Sequence, residues 1–174
     1  MPIVFGETAN SAAEIVTVLK KHGDRVRGVY RSRYCYDRSG GTPYAPPSLE
    51  RPAALSEEPP SRIYPWEQIF VAAATCAGSD YPMLAEHAGI PLDRVELVVE
   101  GVFDPRGEFE ELDGLEAPPD AGPSFVSLHL KATIVSKAPR AEIEKLHERV
   151  LTHNMVLGAL RGVPTTSELA TAQA

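Results

Sequence analysis

Helical and alternating segments follow one another without a regular β-α-β rhythm, and that order places this chain in the α+β class rather than among doubly wound parallel sheets. Three stretches carry most of the prediction. PWEQIFVAAATCA, residues 65–77, is the most continuously apolar run and holds Cys76. Two runs of clean alternation, Val95 to Phe103 and Val126 to Ile134, read as strands that each bury one face and pair with one another. With 174 residues, one domain spanning 1–174 and one core are expected.

Taken in order, Ser11-Ala12-Ala13-Glu14 has the form of a capping box, and Ala12, Ile15, Val16 and Leu19 share a helical face that Gly23 ends. Residues 1–24 are thus an amino-terminal helical extension. From Arg25 to Tyr36 the pattern becomes alternation, with Val26, Gly28, Tyr30, Ser32, Tyr34 and Tyr36 on one side of a strand and the arginines with Cys35 on the other. Asp37-Arg38-Ser39-Gly40-Gly41 is a turn by composition. Residues 42–64 contain Pro43, Pro46, Pro47, Pro52, Pro59 and Pro60, too many for a central strand, and are expected to be a Pro-rich loop.

Pro65 suits the first position of a helix, and Glu67 places a carboxylate at its positive end. The helix is apolar on most faces, and at 12 to 16 residues is too short to span a membrane. Gly78, Ser79 and Pro82 predict a break or kink near Asp80, then a second short helical piece through His87, closed by Gly89. After the strand at Val95 to Phe103, Asp104-Pro105-Arg106-Gly107 forms a turn, and the acidic connection through Asp120 reads as a solvated loop without EF-hand spacing. Beyond the strand at Val126 to Ile134, Pro139 opens a helix with Ile143, Leu146 and Val150 as its buried stripe. A short apolar piece, Met155 to Leu160, ends at Gly162; Val163 to Leu169 forms a last strand, and the tail beyond is expected to fray.

A net charge of −7 without any Lys/Arg-rich run argues against nucleic acid or an anionic membrane as partner. No signal-peptide pattern and no apolar run near 18 residues occurs, which points to a cytoplasmic protein whose two cysteines are free thiols. CxxC, HExxH, GxGxxG and P-loop motifs are missing, and the histidines share no ligand spacing, so no cofactor and no metal are expected. A helix apolar on so many faces needs cover on both sides; one small sheet covers one, and a second subunit is the favoured source of the other.

Four segments in this order, PWEQIFVAAATC, LDRVELVVEGVFDPRG, FVSLHLKATIVS and HNMVLGALRGVP, resemble the OsmC/Ohr family of osmotically inducible and organic-hydroperoxide-resistance proteins over about residues 25–169. The resemblance implies an OsmC-like fold, with sheets of antiparallel type around long central helices in an intertwined homodimer. It also implies reduction of a small hydrophobic hydroperoxide by a helix cysteine, here Cys76, with an external thiol as reductant. The supporting arginine of that family corresponds to Arg38, with Arg31 and Arg33 as alternatives, and the supporting glutamate to Glu67. The family's second cysteine falls where this chain has Asn154-Met155, so no thiol follows Cys76.

Peroxide reduction needs a thiolate, which a neighbouring arginine favours; Asp80, one turn beyond Cys76, opposes it unless its charge is neutralised. Cys35 reads as a packed residue, yet it is the one internal thiol able to trap an oxidised Cys76. Trp66, Phe70, Tyr81 and Met83 are expected to wall an apolar pocket. Two other readings stand beside the peroxidase: another thiol-dependent reaction in the same pocket, and a non-catalytic dimer that binds a small apolar ligand with Cys76 as packing.

Overall fold

Tyr30, Ser32 and Tyr34 alternate with arginines, and this period of two sets the first strand: the three are buried while Arg33 is exposed. The computed structural model of the protein describes Thr17, Lys21 and residues 27–40, 48–55, 63–104 and 125–173. Its strands are β1 (Gly28–Asp37), β2 (Ser48–Glu50), β3 (Arg94–Phe103), β4 (Phe125–Val135) and β5 (Thr165–Ala172). Its helices are α1 (Pro65–Ala88), α2 (Arg140–His153) and α3 (Met155–Ala159). The strands form one five-stranded mixed sheet in the order β2-β1-β3-β4-β5, and with the helices the fold is of the α+β class. All pairings are antiparallel except β4 with β5, which is parallel.

That parallel pair departs from the purely antiparallel expectation. Its cause is the connection: α2 and α3 carry the chain back along the sheet before β5 begins, as a parallel crossover requires. The strand also runs later than its apolar residues suggest, from Thr165 rather than Val163, and takes up the segment expected to fray, because its backbone bonds to β4 hold it as far as Ala172.

Val95, Leu97, Val99 and Phe103 of β3 are buried, as are Leu128, Leu130, Ala132 and Ile134 of β4. Val126 does not join them. The register passes from Val102↔Ser127 to Phe103↔Phe125, so Val126 is the extra residue of a bulge and points to solvent, while Phe125 turns inward against Phe103 and Phe70. Within the expected Pro-rich loop, Ser48–Glu50 pairs with Arg33, Ser32 and Arg31 as an edge strand, the one place in a sheet where flanking prolines are tolerated. Residues 41–47 and 56–62 of that loop, the acidic connection at 105–124, and the amino-terminal helix apart from helical Thr17 and Lys21 lie outside the described residues.

α1 packs on β1 and β3, and α2 and α3 pack on α1. Close approach of α1 to the sheet depends on two glycines: a Cβ on Gly78 would collide with the Tyr34 ring, and one on Gly101 with Phe70 and Leu128. Stacked rings fill the layer between, with centroids 5.5 Å apart for Tyr30–Phe70, 4.8 Å for Tyr64–Trp66 and 5.3 Å for Trp66–Phe103. Trp66, Phe70 and Tyr81 are therefore core rather than pocket wall, and of the four residues expected to line a pocket only Met83 faces a cavity.

The opposite face of the sheet carries charge. Arg31 bridges Glu50 and Glu100, Lys131 also pairs with Glu100, and Arg33 pairs with Glu96. Cys35 belongs to this outer face by alternation with Tyr34, half-buried, near Glu96 and Arg33; burial and Glu96 push its thiol pKa up.

Candidate functional site

Both ends of α1 are fixed by its own sequence. Pro65 opens it without an orphan N–H, and the Glu67 carboxylate reaches back to accept the Tyr64 N–H at 2.9 Å. At the other end Gly89 adopts φ 68°, while its N–H bonds Glu86 and that of Ile90 bonds Ala85, a Schellman closure. No break occurs at Asp80. Pro82 sits inside the helix and forfeits one backbone bond, but Ala77, Gly78, Tyr81 and Ala85 around it are buried, and that packing carries the helix through.

Cys76 lies on the half-exposed side of α1, away from the sheet. Its Sγ accepts a hydrogen bond from Asn154 Nδ2 at 3.2 Å, and the same nitrogen donates to Asp80 Oδ2 at 2.8 Å. Asn154 stands at the junction of α2 and α3, where its Oδ1 accepts the Leu157 N–H at 3.0 Å and caps α3. That bond fixes which end of the carboxamide faces the sulfur: the oxygen is engaged by α3, so the nitrogen points to Cys76 and Asp80. Among the described residues, Asp80 thus has a neutral amide as its hydrogen-bond partner where an arginine was expected to neutralise it. Asn154 is only 2% exposed.

Glu67 is elsewhere. Nine residues at roughly 100° each carry the helix through about two and a half turns, so Glu67 and Cys76 project from opposite faces, about 13 Å apart along the axis. Glu67 is fully buried and ion-paired with Arg51, whose Nε and Nη2 lie 2.7 and 3.0 Å from its two oxygens. Burial pushes the Glu67 pKa up, and Arg51 with the Tyr64 N–H opposes that rise. Arg51 also lies over the Tyr64 ring, 5.7 Å from its centroid. It belongs to the Pro-rich segment, and nothing in the spacing of that segment marks it as the partner of Glu67.

Of the three arginines weighed for the thiol, Arg31 and Arg33 are held by glutamates on the outer face of the sheet. Arg38, in the short 3-10 turn after β1, lines a cavity of about 590 Å³ with Tyr34, Tyr36, Ser79, Met83 and Glu86. This cavity begins one turn beyond the sulfur, for Ser79 is on its wall and donates its hydroxyl to the Cys76 carbonyl at 2.9 Å. The structure brings together Cys76, Asn154 and Asp80, sets Arg38 on the adjoining cavity, and keeps Glu67 apart from both.

A second polar group stands behind α1: Tyr81 Oη lies 2.6 Å from His147 Nδ1, and His147 Nε2 lies 3.4 Å from Ser167 Oγ. Burial depresses the His147 pKa. Among the described residues no three His, Cys, Asp or Glu side chains gather in a way that would hold a metal ion, and no helix is long and apolar enough to cross a membrane.

The architecture recurs in solved proteins. The OsmC-like protein from Mycoplasma pneumoniae superposes with a TM-score of 0.52 at 15% identity, covering 63% of this chain and 72% of that one. A structural-genomics protein superposes at 0.50 with 14% identity, over 82% of this chain and 92% of its own. Identities so low speak for the fold alone. The sequence decides the family: the profile of the OsmC-like protein family matches residues 59–168, and the chain belongs to that family. No curated protein matches the sequence.

Proposed function

We propose that this OsmC-like protein is a homodimeric, cytoplasmic, thiol-dependent reductase of small hydrophobic hydroperoxides that acts through Cys76. The observation that carries the reading is the sulfur itself: half-exposed on α1, oriented by a fixed amide donor, and next to a cavity with Arg38 at its wall. One nitrogen, Asn154 Nδ2, donates both to the sulfur and to the Asp80 carboxylate, which holds the three groups together. The thiolate attacks the distal peroxide oxygen, the O–O bond breaks, and the alcohol leaves with the thiol's proton, giving the sulfenic acid. One external thiol then forms a mixed disulfide with loss of water, and a second releases the Cys76 thiol as its own disulfide forms. Arg38 is the cation nearest the substrate cavity in this reading, and Glu67 stabilises the start of α1. A second copy covers the outer side of α1, where Ala72 and Met83 are exposed, Met83 at 57%.

The test follows consumption of cumene hydroperoxide by the full chain with dithiothreitol as reductant. Cys76→Ser is expected to abolish turnover, Cys35→Ser to leave it unchanged, and Arg38→Met to slow it. Turnover that survives in Cys76→Ser would refute the reading, and so would its absence in the wild type. Absence would favour the binding module instead, whose supporting observation is the cavity walled by Tyr34, Tyr36, Met83 and Ile90.

A further inference from the structure

An oxidised Cys76 has no thiol to meet within its own chain. Cys35 lies on the outer face of the sheet, with β1 between it and α1, and no other cysteine exists. The atom that does touch the sulfur is the Asn154 carboxamide nitrogen, at 3.2 Å. We infer that Asn154 is the internal resolving group of Cys76, closing a sulfur–nitrogen bond with it after oxidation. The inference rests on the reading that a hydroperoxide oxidises Cys76.

The step balances without a further oxidant. The hydroperoxide has already taken two electrons from sulfur in making Cys–SOH; Nδ2 then attacks Sγ, the S–O bond breaks, and Cys–S–NH–CO– and water result. Asp80 Oδ2, 2.8 Å from the attacking nitrogen, takes its proton, and the departing hydroxide takes one in turn. Sulfenic acids are known to condense with amide nitrogen as well as with thiols. An external thiol reverses the bond: its sulfur attacks Sγ, the nitrogen regains a proton, and the mixed disulfide of the proposed cycle is formed.

Three features of the geometry favour this over a free sulfenic acid. The α3 cap holds the nitrogen, rather than the oxygen, against sulfur, so the reacting pair meets without a search. Burial of Asn154 keeps competing water and a second peroxide from that side of the sulfur. The carboxylate that accepts the proton is already bonded to the N–H it would remove.

The experiment treats the full chain with one equivalent of cumene hydroperoxide in the absence of thiol, followed by intact-mass and peptide analysis. Wild type and Cys35→Ser are expected to lose two hydrogens, to resist labelling by dimedone, to show the Cys76 peptide joined to the Asn154 peptide, and to recover fully in dithiothreitol. Asn154→Ser and Asn154→Asp retain an oxygen to cap α3 but no nitrogen. They are expected to gain one oxygen, and a second when a further equivalent of hydroperoxide is added, with dimedone labelling after the first equivalent at least about tenfold above wild type. The same two-hydrogen loss in Asn154→Ser, a link that maps to Cys35, or a wild-type sulfenic acid as long-lived as the variant's would each overturn the inference while leaving Cys76 oxidation intact. No mass change at Cys76 in any variant would overturn the hydroperoxide reading, and the inference with it.

Discussion

Removing Arg51 isolates a buried charge. In Arg51→Met, Glu67 loses two charge-assisted hydrogen bonds, at 2.7 and 3.0 Å, and keeps only the Tyr64 N–H, while its side chain stays wholly inaccessible to water. Breaking such a pair from one side costs about 3–5 kcal/mol, set against a total stability of about 5–15 kcal/mol. With a urea slope of about 2 kcal/mol/M for a chain of this size, the unfolding midpoint at pH 7 should fall by about 2 M. The pH dependence follows from burial, which raises the Glu67 pKa, and from Arg51, which restrains that rise. A carboxyl whose folded pKa is raised contributes stability in its protonated form below the unfolded value near pH ~4.3, and that contribution is lost as pH rises through the folded value. Without Arg51 the folded value climbs further. The deficit relative to wild type is therefore largest at pH 7 and shrinks as pH falls and Glu67 takes up a proton. Urea titrations of both proteins at pH 7 and pH 5, at one protein concentration, measure it. Adding Glu67→Gln, which keeps an acceptor for Tyr64 N–H, should recover more than half of the loss. A midpoint change under about 0.5 M at pH 7, the scale of an exposed ion pair, or an equal change at both pH values would refute the reasoning.

Gly78→Ala should lower stability by about 1–3 kcal/mol in the same titration, because the new methyl meets the Cβ and ring of Tyr34 rather than the end of a flexible side chain. His147, its pKa depressed by burial, stays neutral in the fold below the pH at which the unfolded chain takes up a proton. Stability is therefore lost as pH falls from about 6.5 toward the folded value, and the difference between wild type and His147→Gln should isolate that slope. Light scattering at micromolar concentration should show a dimer, and Met83→Glu should weaken it at least about tenfold; a folded wild-type monomer would send the cover of α1 back to the segment before Pro65.

Strands with alternating faces and the capped ends of α1 were legible in the sequence because each rests on near-neighbour physics. Tyr30-Ser32-Tyr34, Val95-Leu97-Val99, Pro65 with Glu67, and Gly89 all stand where the pattern puts them. Failures occurred where distant residues decide. The unbroken run through Pro82 depends on the packing of Tyr81 and Ala85, and the outward turn of Val126 on a bulge set by pairing with Phe103. At the site, Cys76 was visible from its helix and Asp80 from its one-turn spacing. Asn154 was noticed only as a missing cysteine, for its hydrogen bonds to Cys76 and Asp80 span more than seventy residues of chain. Arg51 carried no signal at all, since an arginine beside a proline in a polar loop is ordinary until the fold sets it against Glu67.

The charges on the outer face of the sheet act as a gauge of alignment. Sliding β3 by one residue along β1 would exchange its two faces, and the buried Val95, Leu97 and Val99 forbid that. Sliding it by two keeps every apolar side chain inward, so burial by itself is blind to the error. In the native alignment Arg31 stands opposite Glu100, and Cys35 opposite Glu96, while Val98 faces Arg33. A shift of two residues sets Arg31 against Val98 and Glu100 against Val29, or Arg31 against Val102 and Glu100 against Arg33; either slip parts Arg31 from Glu100 and pulls Lys131 out of step unless β4 slides as well. Odd slips are thus rejected by the core, while even ones give up the Arg31–Glu100 pair, so the charged face weighs on an error that the apolar face does not register.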